Sequence, residues 1–177
     1  MVSLDGYIEG ANQELDWHIV DSDFLNYAEQ TLNSVDCILF GRKTYEMMAA
    51  YWPLPEQVKN DPVIAAKMNN LPKIIFSKTL DKVEWKNSTL VKGNIKETIL
   101  KLKEQSGKDI VILGSGSIVS ALMQLGLIDE YRAIISPVIL GGGKPQFTGD
   151  LDRKTLKLTD LKRLSSGVVI LYYQPIN

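Results

Sequence analysis

The run Ile110-Val111-Ile112-Leu113-Gly114-Ser115-Gly116-Ser117-Ile118 carries more structural information than any other part of the chain. Four apolar residues follow one another without a polar break, two glycines interrupt them, and helical spacing then continues to about Leu125, where Gly126 stops it. A short unbroken apolar run ended by glycine reads as a strand buried on both faces, as in parallel sheets covered by helices. The pattern occurs once more upstream. Cys37-Ile38-Leu39-Phe40 ends at Gly41, and a helix is predicted over Arg42–Tyr51, until Trp52-Pro53-Leu54-Pro55 breaks it.

Around these two units the remaining elements fall into place. Asp21 or Asp23 caps a predicted helix reaching about Asn33, with Phe24, Tyr27, Ala28, Thr31 and Leu32 on one face. Further helices are predicted from Pro62 to about Asn70 and from Lys96 to Gln105, and Gly107 stops the latter. Strands are predicted at Lys73–Ser77 and Leu90-Val91, and Met1–Leu4 reads as the end of a strand entering a turn at Asp5-Gly6. Glu9 to Trp17 is polar and aperiodic, hence a loop. The closing third differs: Glu130–Pro137, Leu156–Ser165 and Val168–Gln174 read as strands with no helix between them, and Ser166-Gly167 as a hairpin turn. The expectation is a single α/β domain over residues 1–177, with a mostly parallel sheet and antiparallel C-terminal strands.

Composition narrows the function. Twenty basic against 21 acidic residues give a formal net charge of -1, so no electrostatic argument favours nucleic acid or an anionic membrane as partner. Cys37 is the only cysteine and His18 the only histidine. An intramolecular disulfide and multi-histidine metal chemistry are thereby excluded. No apolar run approaches the roughly 20 residues that span a bilayer. A soluble cytoplasmic protein without an intrinsic metal is expected.

Chemistry is concentrated at the two glycine turns. Gly41-Arg42-Lys43-Thr44 and Gly114-Ser115-Gly116-Ser117-Ile118 each join a buried strand to a helix, where open backbone amides and the positive end of the helix dipole attract anions. In open α/β sheets ligands sit beyond the carboxyl ends of the strands. Two such turns suit a ligand with several anionic groups, such as a dinucleotide. Each turn alone also serves as a plain tight connection: Val119 stands where a Rossmann fingerprint needs Gly or Ala, and Asp36 where a Walker loop needs glycine. Arg42, Lys43, Ser77 and Lys78 supply cations and hydroxyls for a phosphate monoester, favouring NADPH over NADH. They equally suit an ordinary solvated surface.

In order along the chain stand Ser3-Leu4-Asp5-Gly6-Tyr7-Ile8, Asp16-Trp17, Phe40-Gly41-Arg42-Lys43-Thr44-Tyr45-Glu46, Ser77-Lys78-Thr79-Leu80, Gly114-Ser115-Gly116-Ser117-Ile118 and Pro137–Gly143. This order resembles the dihydrofolate reductase-like superfamily, and within it the reductase (C-terminal) domain of the bacterial riboflavin-synthesis deaminase-reductase. The resemblance implies a three-layer sandwich around a central eight-stranded, mostly parallel sheet, NADPH across the strand ends, a small pteridine- or pyrimidine-like substrate and a homodimer. It implies that Gly41–Thr44 and Gly114–Ile118 cradle the pyrophosphate, that Arg42, Lys43, Ser77 and Lys78 surround the adenosine 2′-phosphate, and that Ile8 and Trp17 lie beside the nicotinamide. Tyr7 departs from the basic residue of the riboflavin reductases, Val119 from the tyrosine of the folate enzymes, and Gly141–Gly143 is foreign to the latter. Neither substrate fits cleanly.

In folate enzymes an acid early in the first helix orients the pterin and assists protonation, which points to Asp21 or Asp23; both also suit a helix cap. His18 is a second proton-donor candidate, set against a solvent-facing loop histidine. Cys37 reads as core, Asp5 as a turn former, and Trp52 and Trp85 as core or rim. The leading reading is an NADPH-dependent reductase resembling 5-amino-6-(5-phosphoribosylamino)uracil reductase. The alternatives are dihydrofolate reductase activity and a non-catalytic nucleotide-binding or interaction protein. The related folds extend their first strand before the equivalent of Ser3, so either the true start lies upstream of Met1, the favoured expectation, or the central strand is truncated and the pocket partly open.

Overall fold

The computed structural model describes residues 1–149 and 151–176. In chain order its elements are β1 (Val2–Ser3), β2 (Tyr7–Glu9), α1 (Ser22–Asn33), β3 (Val35–Gly41), α2 (Arg42–Tyr51), α3 (Pro55–Asn60), α4 (Pro62–Asn70), β4 (Lys73–Phe76), β5 (Ser88–Val91), α5 (Ile95–Lys103), β6 (Asp109–Ile112), α6 (Gly116–Gln124), β7 (Tyr131–Ser136), β8 (Lys144–Pro145), β9 (Leu156–Arg163) and β10 (Val169–Pro175). They gather into two compact units, Asn26–Ile118 and Met1–Leu25 with the chain from Val119 onward.

The Asn26–Ile118 unit is built on an all-parallel sheet with strand order β5-β4-β3-β6. β3 lies inside it, and only Asp36 of its residues is exposed. An interior parallel strand has no solvent face, which is why its sequence does not alternate. Cys37 is a core residue, as read, and burial pushes its thiol up to about 11. Trp85 also belongs to the core: it stacks on Phe40 at 6.1 Å, and its indole N–H donates to Asn69 Oδ1 at 2.7 Å.

Lys73 opens β4 and is 1% exposed. Its Nζ donates to the carbonyls of Met68, Asn69 and Leu71 at 2.8, 3.2 and 2.7 Å, and lies 4.5 Å from the centre of the Trp85 ring. Those carbonyls close α4, where the Lys67 carbonyl has a cap amide, that of Leu71 at 2.9 Å, and Lys73 serves the acceptors that follow it. Burial lowers the ammonium to about 8. Lys73→Met leaves the carbonyls without this donor and is expected to cost about 2–4 kcal/mol in urea unfolding; an unchanged midpoint would refute the capping role.

The other unit carries a mixed sheet, β1-β7-β10-β9, in which β1 runs parallel to β7 and the rest are antiparallel. The β9–β10 hairpin closes where expected. Gly167, at φ +88°, donates its N–H to the Leu164 carbonyl at 3.1 Å, and Leu164 N–H donates to the Val168 carbonyl at 2.9 Å. A separate ribbon pairs β2 with β8.

The result is an α/β fold with mixed sheets and an antiparallel C-terminal run. Where one eight-stranded sheet was expected, backbone hydrogen bonds define two four-stranded ladders. Three elements had no signal in the sequence, among them β2, which is three residues long and runs into the stretch read as a loop. α3 has no buried residue, hence no apolar period, and Pro55 occupies its first position, where proline is tolerated rather than helix-breaking. β8 is only two residues long.

Candidate functional site

The site is produced by strand register. Leu39 pairs with Ile112 and Gly41 with Phe76, so the turns after β4, β3 and β6 leave the same carboxyl edge side by side. Ser77-Lys78, Gly41–Thr44 and Gly114–Ile118, distant in sequence, become neighbours.

The two glycine turns touch. Past the last β3–β6 pair, Gly41 N–H donates to Ser115 Oγ at 3.0 Å, and a side chain on Gly41 would collide with that oxygen. A Cβ on Gly114 would lie 3.5 Å from Thr44 Cγ2. Gly114 and Ser115 are both left-handed, at φ +66° and +65°. For serine this conformation costs about 1–2 kcal/mol.

The charge at this edge is one-sided. α2 opens with Arg42 and Lys43, has no acid in its first turn and no side-chain cap. Cations at the positive end of a helix are unfavourable by about 0.3–1 kcal/mol each. Arg42 Nη1 reaches both Glu46 carboxylate oxygens at 3.2 Å, an exposed pair worth at most about 1 kcal/mol. Ser77 Oγ accepts the Thr79 and Leu80 amides at 3.2 and 3.1 Å, and Lys78 is exposed. Amides and cations thus outnumber anions where three strands end. The arrangement fits a phosphorylated ligand.

The remaining residues singled out from sequence belong to the other unit. Ile8 lies in β2, and the Trp17 indole N–H donates to the Glu14 carbonyl at 3.1 Å. Asp21 caps α1: its Oδ1 accepts Phe24 N–H at 2.8 Å and its carbonyl accepts Leu25 N–H at 2.9 Å. Asp23 Oδ2 accepts the Ser165 hydroxyl at 2.6 Å and N–H at 3.0 Å, fastening the first turn of α1 to the β9–β10 turn. These bonds hold its carboxyl below the usual aspartate range, so it is ionised at neutral pH.

Ser165 and Asp5 show what sequence reading missed. Ser165 lies in a hairpin turn 142 positions from Asp23, and a polar turn residue carries no mark of a distant partner. Asp5 does form a turn with Ser3, but its carboxylate also accepts the Leu140 and Gly141 amides at 3.1 and 2.8 Å, pinning the glycine loop. Gly143, at φ +134°, passes so close to the Glu9 carbonyl that a side chain there would collide with it.

His18 is not the solvent-facing loop residue considered above. Its Nε2 is buried without a hydrogen-bond partner, its ring meets Trp17 edge-on at 4.3 Å, and burial lowers it to about 4. The unfolded chain protonates it near 6.5, so between about 6.5 and 4 the unfolded state binds more protons and stability is lost as the pH is lowered from 6.5 to 4. The melting temperature is therefore expected to drop over that interval and to drop less in His18→Gln. Equal slopes in the two proteins would refute it.

Among the described residues no cluster of three His, Cys, Asp or Glu is placed to hold a metal, and no helix is long and apolar enough to cross a membrane. The family model of the RibD C-terminal domain matches residues 1–170. The chain belongs to this family. A curated relative, the uncharacterized protein YyaP of Bacillus subtilis (strain 168), is 38% identical over 174 residues, spanning 97% of this chain and 90% of its own. A crystal structure from Shewanella sp. PV-4, assigned to riboflavin biosynthesis, matches with TM-score 0.75 and 25% identity over 99% of this chain and 96% of its own. Two solved structures share the fold at lower identity. The diaminohydroxyphosphoribosylaminopyrimidine deaminase/5-amino-6-(5-phosphoribosylamino)uracil reductase of Thermotoga maritima matches with TM-score 0.69 and 17% identity over 99% of this chain and 54% of its own. Dihydrofolate reductase from Enterococcus faecalis, complexed with NADP(H), matches with TM-score 0.61 and 16% identity over 99% and 93%. The chain is thus a member of the RibD C-terminal domain family with a fold shared by the Enterococcus dihydrofolate reductase.

Proposed function

We propose that this protein is a cytoplasmic NADPH-dependent reductase of a small pteridine- or pyrimidine-like heterocycle, related in chemistry to 5-amino-6-(5-phosphoribosylamino)uracil reduction. The observation that carries this reading is the carboxyl edge of β4, β3 and β6, where three turns bring helix-opening amides and a surplus of cations together. In the proposal Gly41–Thr44 and Gly114–Ile118 hold the pyrophosphate, and Arg42, Lys43, Ser77 and Lys78 take the 2′-phosphate. Ile8 and Trp17 enter on the family resemblance. Bound NADPH would supply the hydride, so the chain itself needs few reactive groups. We take residues 1–177 as one functional domain, because the family model runs through both units. Leu158 and Leu161, exposed on the edge strand β9, support pairing of two copies.

Tryptophan fluorescence is expected to report NADPH binding at tens of micromolar or tighter, about tenfold weaker for NADH or after Arg42→Ala. No NADPH binding would sink the proposal.

Of the two acids, we assign substrate orientation to Asp21 and a positioning role to Asp23. An ionised carboxylate held by Ser165 is a poor proton donor, but it fixes the helix turn that presents Asp21. Once turnover is established, Asp21→Asn is expected to lower kcat about 100-fold, and Asp23→Asn to lower stability more than kcat. The reverse ranking overturns the assignment.

A non-catalytic nucleotide-binding protein is favoured by one observation: both carboxylates are already engaged within the protein. Tight NADPH binding without oxidation in the presence of any pterin, flavin precursor or dihydrofolate would decide for it.

A further inference from the structure

A serine directly ahead of a helix usually turns its hydroxyl onto the second or third amide of that helix. Ser115 stands directly ahead of α6, yet its Oγ accepts the N–H of Gly41 from the neighbouring strand. Its backbone contribution to α6 is the carbonyl, which accepts Ile118 N–H at 2.9 Å. We propose that the Ser115 hydroxyl is a positioning residue, locking the two glycine turns at the spacing a dinucleotide pyrophosphate needs. This rests on the cofactor reading above and gives a role at the pyrophosphate turns to one side chain, that of Ser115.

Three features of the pair converge. Only a residue without a side chain leaves room for Ser115 Oγ beside position 41, so glycine and serine are chosen together. Serine is held at φ +65°, although glycine would adopt that conformation without strain. The hydroxyl must therefore contribute something that glycine at 115 would not. An oxygen that accepts from Gly41 N–H keeps its own hydrogen to donate. Because the bond runs from the end of β3 to the turn after β6, it fixes one anion-attracting turn against the other, and Thr44 beside Gly114 gives a second point of contact.

Ser115→Gly separates this role from a structural one, since it removes the hydroxyl and relieves the backbone at once. With the full chain, NADPH affinity is expected to fall about tenfold, while the melting temperature is retained or raised and Gly41 amide hydrogen exchange quickens. Ser115→Ala, which keeps the strain, is expected to lose both affinity and stability. NADPH binding by Ser115→Gly equal to that of the unaltered protein would overturn the inference and leave the cofactor reading standing. Parallel losses of affinity and melting temperature in Ser115→Gly would also overturn it, because that is the mark of a merely structural serine. Failure of the unaltered protein to bind NADPH would remove the cofactor reading, and the positioning role with it.

Discussion

The parallel pairing of β3 with β4 on one edge and β6 on the other is the constraint from which the candidate site follows. A strand paired on both edges and covered on both faces cannot shift by one residue without sending Ile38 or Phe40, both fully buried, into a different environment. Register is therefore held by the core. Because the three strands run the same way, their exits lie on one edge, and three short polar turns become a single surface. Register brings the turns together, and the Gly41–Ser115 hydrogen bond then fixes two of them against each other.

At that surface the local rules of helix formation are broken in one direction. Two cations open α2, Gly41 offers no side-chain cap, and Ser115 spends its hydroxyl on a neighbouring strand while in a conformation better suited to glycine. Missing caps are not peculiar to this edge, since α3, α4 and α5 also lack side-chain caps, but the paired cations at the start of α2 contrast with Lys73, which sits at a helix C-terminus where a cation belongs. Departures of this kind are expected where a structure serves a ligand rather than its own stability. Their coincidence with the edge at which α/β sheets bind ligands joins the electrostatic argument to the topological one.

The second unit shows how polar residues of unremarkable appearance acquire specific work. Asp5 gathers Ser3, Leu140 and Gly141, and Asp23 gathers both polar groups of Ser165. Each carboxylate joins segments more than 130 residues apart, and each is held in its ionised form by the donors it collects. A side chain used in this way is lost as a proton donor, which is why Asp23, inside the first turn of α1, is given a positioning role and not a chemical one.

The sequence alone determined the local grammar. Unbroken apolar runs at Cys37–Phe40 and Ile110–Leu113 marked interior strands, glycine marked their exits, and Ser166-Gly167 marked the closing hairpin, because strand burial and turn conformation act through adjacent residues. The cations of the basic corner were legible for the same reason. Only the tertiary structure decided which turns are neighbours, that Ser115 reaches Gly41, that Asp23 is bound by Ser165, that the His18 Nε2 is buried, and that Lys73 closes α4. These pairings, apart from the local Lys73 contact, join positions distant in the chain, and their partners are common polar residues or plain backbone. Hydrophobic periodicity reports which face of an element is buried, whereas a hydrogen bond between two elements depends on register, which the whole core sets.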